Sequence, residues 1–173
     1  DEVWPQICRV VPDARFLVTG TGPPPDVVQR ASASVRLIGY VANLAQAYGA
    51  ARVVVAPIRY GAGVKNKTME ALQYGTPTVA TAVGAEGMGL IDGEALDITD
   101  DPREFAARIV TLLVDDDRWL QRARTIETLV SHWYAEESLS WSDVVTRTMH
   151  ATATKRVAQR PGGPMTRRGR TTA

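Results

Sequence analysis

The chain holds one cysteine, two histidines and no membrane-length apolar run, and each scarcity removes a class of protein. With Cys8 alone, neither an internal disulfide nor a thiolate metal site can form. Beside Ile7 on a predicted helix, Cys8 reads as a small core residue. His132 and His150 fall on predicted helices in the C-terminal third and are read neither as a metal site nor as catalytic groups. No apolar run approaches the roughly 18 to 20 residues that a membrane-spanning helix needs. Acids are missing from residues 151–173, where Lys155, Arg156, Arg160, Arg167, Arg168 and Arg170 gather. Residues 1–150 therefore keep 14 basic against 19 acidic side chains, a net of −5, which argues against a nucleic-acid-binding body. The segment 151–173 is rich in Thr, Gly, Pro and Arg and is expected to be a disordered basic tail. A tail of this kind can touch anionic lipid or RNA, but a solvated terminus is the simpler reading.

What is present is a globular composition of ordinary size, 45% apolar and 23% charged over 173 residues. Val3, Ile7, Val10 and Val11 mark a first helix, stopped by Pro12-Asp13. Short β-type runs follow at 15–20, 35–39, 53–57, 78–81 and 96–98, with a brief helix at 26–30. Asn43 predicts an N-cap for a helix through Tyr48. The run Val53 to Pro57 is continuously apolar, as in strands covered on both faces of a parallel sheet. A helix is expected from about Val64 to Tyr74, with Gly75 as its left-handed C′ residue and Pro77 just beyond. Strands alternating with helices at this pitch predict an α/β fold with an open, doubly wound parallel sheet in a domain covering 1–150. From residue 101 the chain reads as helices only. Asp101-Pro102-Arg103-Glu104 is a helix start, and apolar stripes run through Phe105 to Leu113 and Trp119 to Trp133, with another from Ser138.

The chemistry concentrates in Arg59 to Gly87. A strand ends near Pro57, a loop with Gly61 and Gly63 turns, and a helix begins at once. Ligands of open α/β sheets bind beyond the carboxyl ends of the strands. Glycines let backbone approach a ligand, and a helix amino end offers free N–H groups and a positive dipole to a phosphate. Lys65 and Lys67 stand where the dipole would prefer acids, so an anionic ligand accounts for them better than helix stability. Glu70, three residues after Lys67, could accept two hydroxyl hydrogen bonds from a ribose diol. On spacing alone, a plain Lys67–Glu70 surface pair is an equal reading. The loop matches neither G-x-x-x-x-G-K-[ST] nor G-x-G-x-x-G. Asp115 to Asp117 reads as a solvated helix cap rather than a metal site.

The order Pro57, Arg59-x-Gly61-x-Gly63, Lys67-x-x-Glu70-Ala71-Leu72, Gly75-x-Pro77-x-Val79-Ala80-Thr81 and Gly84-Ala85-Glu86-Gly87 resembles the signature of the family 4, or group 1, glycosyltransferases. The likeness runs over about residues 3–150 and takes in Phe16 to Pro23, Gly39-Tyr40-Val41 and Asp100 to Phe105. It implies the C-terminal, donor-binding half of a GT-B fold, Rossmann-like and followed by C-terminal helices. It also implies retaining transfer of a sugar from a nucleotide-diphospho-sugar to an acceptor, with no cofactor and no metal. By that likeness Glu70 would hold the ribose hydroxyls, Gly61, Gly63 and Val64 would give backbone contacts to sugar and diphosphate, and Lys67 would add charge. Tyr40 and Val41 would lie near the base, and Gly20 would line the cleft. The catalytic group is not identified.

Two departures stand out. Ala62 occupies the place of the first glutamate of the family's E-x7-E motif, as in the subgroup written R-x-G-x-G-x-x-x-K-x-x-E-A, so the sugar is left open. The family's diphosphate-binding Arg and Lys, with the first strand and the acceptor-binding domain, would lie upstream of residue 1. The chain is thus expected to be N-terminally truncated and inactive alone. Its expected partners are the nucleotide-sugar and the missing N-terminal acceptor domain, in a cytoplasmic setting with peripheral membrane contact as an option. The rival readings are a non-catalytic nucleotide-binding or partner-docking module and a GT-B-type sugar-nucleotide epimerase. A nicotinamide dehydrogenase fits poorly, because no acidic residue is evident after a Gly-rich first turn.

Overall fold

The computed structural model describes residues 2–137. Residues 1–132 form one compact unit, and of the unit that begins at Trp133 only residues 133–137 are described. The helix expected from Ser138 and the basic tail lie outside the described residues.

The order of elements follows the alternation in the sequence: α1 (Trp4–Val10), β1 (Phe16–Thr19), α2 (Pro25–Val28), β2 (Val35–Gly39), α3 (Leu44–Ala50), β3 (Val54–Ala56), α4 (Asn66–Gln73), β4 (Thr78–Ala80), a short 3-10 turn at Val83–Ala85, β5 (Asp97–Ile98), α5 (Pro102–Val114) and α6 (Asp116–Glu137). All strand pairs are parallel. The fold is therefore Rossmann-like α/β with helices at the C-terminal side, as expected.

The sheet differs from expectation in one respect. Instead of one continuous ladder, among the described residues β1 pairs only with β2, while β3, β4 and β5 form a second sheet in that order. The same break explains a second difference. Val54 and Val55 of β3 are only half-buried, because among the described residues β3 has a hydrogen-bonded neighbour on one side alone. The strand covered on both faces is β4, whose Thr78, Val79 and Ala80 are all buried.

The core of this unit gathers Ile7 from α1, Val79 from β4 and the stripe Phe105, Ala106, Ile109 and Leu112 of α5. Burying one such large aliphatic side chain contributes about 1.5–3 kcal/mol. Trp4 packs its ring 5.6 Å from that of Phe16 and donates its indole N–H to the Ser34 hydroxyl at 3.2 Å, which ties α1 to the β1–β2 pair. Cys8 is half-buried rather than enclosed, because Ile7 takes the inward position. Of the apolar stripe expected in α6, Ile126 is buried as expected but Leu120 is exposed, and Arg122 joins Ile126 on the inward face.

Caps follow the sequence signals closely. Asn43 Oδ1 accepts from the Gln46 N–H at 2.9 Å, and Asp101 Oδ1 accepts from Arg103 and Glu104, both at 2.9 Å. At the end of α4, Gly75 takes φ 73°, its N–H bonds the Leu72 carbonyl, and Thr76 N–H bonds that of Ala71. This double bond pattern turns the chain back into β4.

Candidate functional site

The loop from Pro57 to Lys65 leaves β3 at its carboxyl end and feeds α4. Beneath it sits the segment after β4, and the two are joined by buried polar contacts. Thr68 donates its hydroxyl to the Gly84 carbonyl at 2.8 Å. Thr81 donates to the Ile58 carbonyl at 2.5 Å and accepts the Gly84 N–H at 3.0 Å. Gly84 must be glycine on spatial grounds, since a Cβ there would lie 2.4 Å from the Ala56 carbonyl oxygen. Within the loop, Gly61 and Gly63 take φ of 124° and 77°, conformations that side chains disfavour. The pair thus lets the backbone turn sharply just before a helix.

Lys65 and Lys67 divide their work. Lys65 is the N-cap residue of α4, its side chain only 10% exposed, and its ammonium donates to the Gly63 carbonyl at 2.7 Å and to Glu86 at 3.2 Å. It therefore clamps the loop to the segment after β4 instead of pointing its charge at a ligand. Lys67 is 73% exposed and reaches Glu70 Oε2 at 2.9 Å and Oε1 at 3.1 Å. Among the described residues, no side chain caps the amino end of α4, so its first N–H groups are left without a side-chain acceptor, with the dipole behind them.

Glu70 is where these elements meet. Besides Lys67, its Oε2 accepts the Tyr48 hydroxyl at 3.1 Å. Tyr48 comes from α3, and its ring stacks on that of Tyr74 with centroids 5.1 Å apart and planes 16° from parallel. Burial and the bond to Glu70 push the Tyr48 hydroxyl up to about 12, so it remains a donor throughout the neutral range. Sequence reading passed over Tyr48, because 22 residues separate it from Glu70 and its helical spacing suggested only a packing role.

The other expected residues lie at the carboxyl ends of the remaining strands. Gly20 follows β1, takes φ 130° and donates its N–H to the Gly39 carbonyl at 2.8 Å. Tyr40 and Val41 follow β2, with Tyr40 77% exposed and Val41 half-buried. Gly61, Gly63, Val64, Lys67 and Glu70 cluster along the loop and α4. Among the described residues, no hydrogen bond or ion pair joins Gly20, Tyr40 or Val41 to that cluster.

A second polar cluster was not foreseen. Arg122 is buried and reaches Asp97 at 2.5 Å and the Glu94 carbonyl, while its Nε has no partner among the described residues. Arg108 pairs with Asp92 and with Glu104 at 2.7 Å. Two concavities of about 350 Å³ border this cluster, one lined by Arg118, Arg122 and Thr125 and the other by Asp92, Asp97 and Arg108. Neither is lined by a residue of the Gly61–Glu70 segment. The signal was available: Arg122 is three residues after Trp119 and four before Ile126, on a face that otherwise reads as apolar.

Residues 1–115 match the family model of the group 1 glycosyl transferases. The chain belongs to that family. Its fold is shared with the Anabaena protein HepE, whose crystal structure holds UDP and glucose; the TM-score is 0.63 at 17% identity, over 90% of this chain and 45% of HepE. The chain thus spans less than half the length of HepE, and at this identity the likeness speaks for the fold alone. No curated protein sequence matches it. Within a group 1 glycosyltransferase fold, the Gly61–Glu70 segment sits where open α/β sheets bind ligands. Among the described residues, no helix is long and apolar enough to cross a membrane.

Proposed function

We propose that this group 1 glycosyltransferase chain is the donor-binding lobe of a retaining enzyme, which transfers a sugar from a nucleotide-diphospho-sugar to an acceptor hydroxyl. The observation that carries the proposal is Glu70, a carboxylate on α4 beside the uncapped helix start and the Gly61–Gly63 loop. Glu70 receives the ribose diol, and the backbone of Gly61, Gly63 and Val64 with the first N–H groups of α4 receives diphosphate and sugar. Lys67 turns its exposed ammonium toward the diphosphate once ribose hydroxyls occupy the carboxylate. Tyr40 and Val41 border the base, and Gly20 lines the cleft. Helix N–H groups and Lys67 stabilise the leaving nucleoside diphosphate while the acceptor attacks the same face of the sugar. No metal takes part.

A second lobe, outside these residues, supplies the acceptor site. A strand from outside the described residues, parallel to β1 and β3 and pairing with both, would join the two sheets into one. Support comes from the one-sided pairing of β1 and β3 and from the share of HepE that the chain spans.

The test is product analysis on the intact natural protein with UDP-, GDP- and ADP-sugars. Transfer with the donor's anomeric configuration kept supports the proposal. Epimerised sugar nucleotide formed without any acceptor would replace it with the epimerase reading.

A further inference from the structure

We infer that Tyr48 is a positioning residue for the donor's ribose: its hydroxyl fixes the Glu70 carboxylate in the orientation that takes a 2′,3′-diol. This rests on the proposed role of Glu70.

Glu70 has two hydrogen-bonded neighbours, and they differ in stiffness. Lys67 carries its ammonium on a four-carbon stem that is mostly exposed, so it follows the carboxylate wherever it turns. Tyr48 has only two side-chain torsions, and a ring stack and its hydroxyl bond hold them. Its ring lies flat against Tyr74 at 5.1 Å. Its carbonyl accepts the hydroxyl of buried Thr76 at 3.2 Å and the Ala51 N–H at 3.1 Å, pinning the last turn of α3 beside the end of α4. With its backbone held and its ring stacked, Tyr48 places its phenol oxygen 3.1 Å from Glu70 Oε2. A glutamate side chain left free in solvent would have to be ordered when the ligand binds. Tethered at Oε2, it is ordered beforehand.

Acceptor capacity allows this arrangement together with a diol. A carboxylate offers about four lone-pair positions. Tyr48 takes one on Oε2, and Lys67 bridges both oxygens from the exposed side. A diol that displaces Lys67 finds at least one free position on each oxygen, while the tyrosine bond is retained. The hydroxyl does not ionise near neutrality, so it stays a donor through the physiological range.

The test uses Tyr48→Phe in the intact natural protein, which keeps the ring and its stack and removes only the hydroxyl. Calorimetry measures affinity for UDP, GDP and ADP, then compares whichever binds with its 2′,3′-dideoxy analogue. The wild type should prefer the ribonucleotide by about tenfold or more. In Tyr48→Phe, ribonucleotide affinity should fall about fivefold while dideoxynucleotide affinity stays the same, so the preference shrinks. A wild type without any preference sinks the ribose role of Glu70 and this inference with it. A wild-type preference that Tyr48→Phe leaves intact overturns this inference alone. Equal weakening of both nucleotides assigns Tyr48 a packing role and also overturns it.

Discussion

Thr68 donates its hydroxyl to the Gly84 carbonyl at 2.8 Å, with the threonine completely buried, and this bond fastens α4 to the segment that follows β4. A buried carbonyl deprived of its donor bears its full desolvation cost. Thr68→Val should therefore lower unfolding stability by about 1–3 kcal/mol in urea denaturation, with an unchanged slope. Thr68→Ser, which keeps the donor, should lose less. Gly84→Ala should cost about 3 kcal/mol, because the added methyl would meet the Ala56 carbonyl.

The two lysines at the start of α4 should separate in their effects. Lys67→Ala should weaken binding of a nucleoside diphosphate roughly three- to tenfold, and the loss should shrink in high salt, as expected for an exposed charge. Lys65→Met should instead loosen the loop, since its ammonium links Gly63 to Glu86. Its signature is faster proteolysis within the 59–65 segment, with little dependence on salt. Calorimetry at two ionic strengths and limited digestion distinguish the cases.

Arg122 and Asp97 form a buried pair whose members depend on each other. Desolvation disfavours the Arg122 charge, the Asp97 carboxylate opposes that effect, and one guanidinium donor is left without a partner. Arg122→Met should cost about 3–5 kcal/mol by stranding Asp97. A double replacement, Arg122→Met with Asp97→Leu, should recover much of the loss. Thermal unfolding of these two variants and of Asp97→Leu alone closes this cycle.

Arg108 should set part of the acid limb of stability. Its hydrogen bonds hold the Asp92 and Glu104 carboxyls below their usual range. Groups whose folded values are depressed add stability above their unfolded values, near pH 4, and lose it as pH falls through the folded ones. Arg108→Met should thus melt below the wild type at pH 6, and the gap should narrow as pH drops toward 3. A gap that widens in acid would contradict this.

Much of the fold was legible because its signals are local. Asn43, Asp101 and Gly75 announce their caps through chemistry confined to one helical turn, and each took the expected role. The broken sheet was not legible, because β-type runs give strands but not their neighbours. The half-burial of Val54 and Val55 follows from that pairing, which sequence alone does not carry. At the candidate site, Lys67 and Glu70 were visible as an i, i+3 pair, and the structure joins them. Lys65 looked equally available for an anion, yet its partner Glu86 lies 21 residues on. Tyr48 was hidden for the same reason. Contacts across elements depend on how α3, α4 and the segment after β4 stack, which no short pattern encodes.

The central claim is that the Glu70 carboxylate holds the donor nucleotide, and calorimetry of Glu70→Ala in the intact natural protein tests it most directly. The wild type should bind at least one of UDP, GDP and ADP, and Glu70→Ala should bind that nucleotide at least about tenfold more weakly while melting at nearly the wild-type temperature. Equal affinity in the wild type and Glu70→Ala would contradict the account.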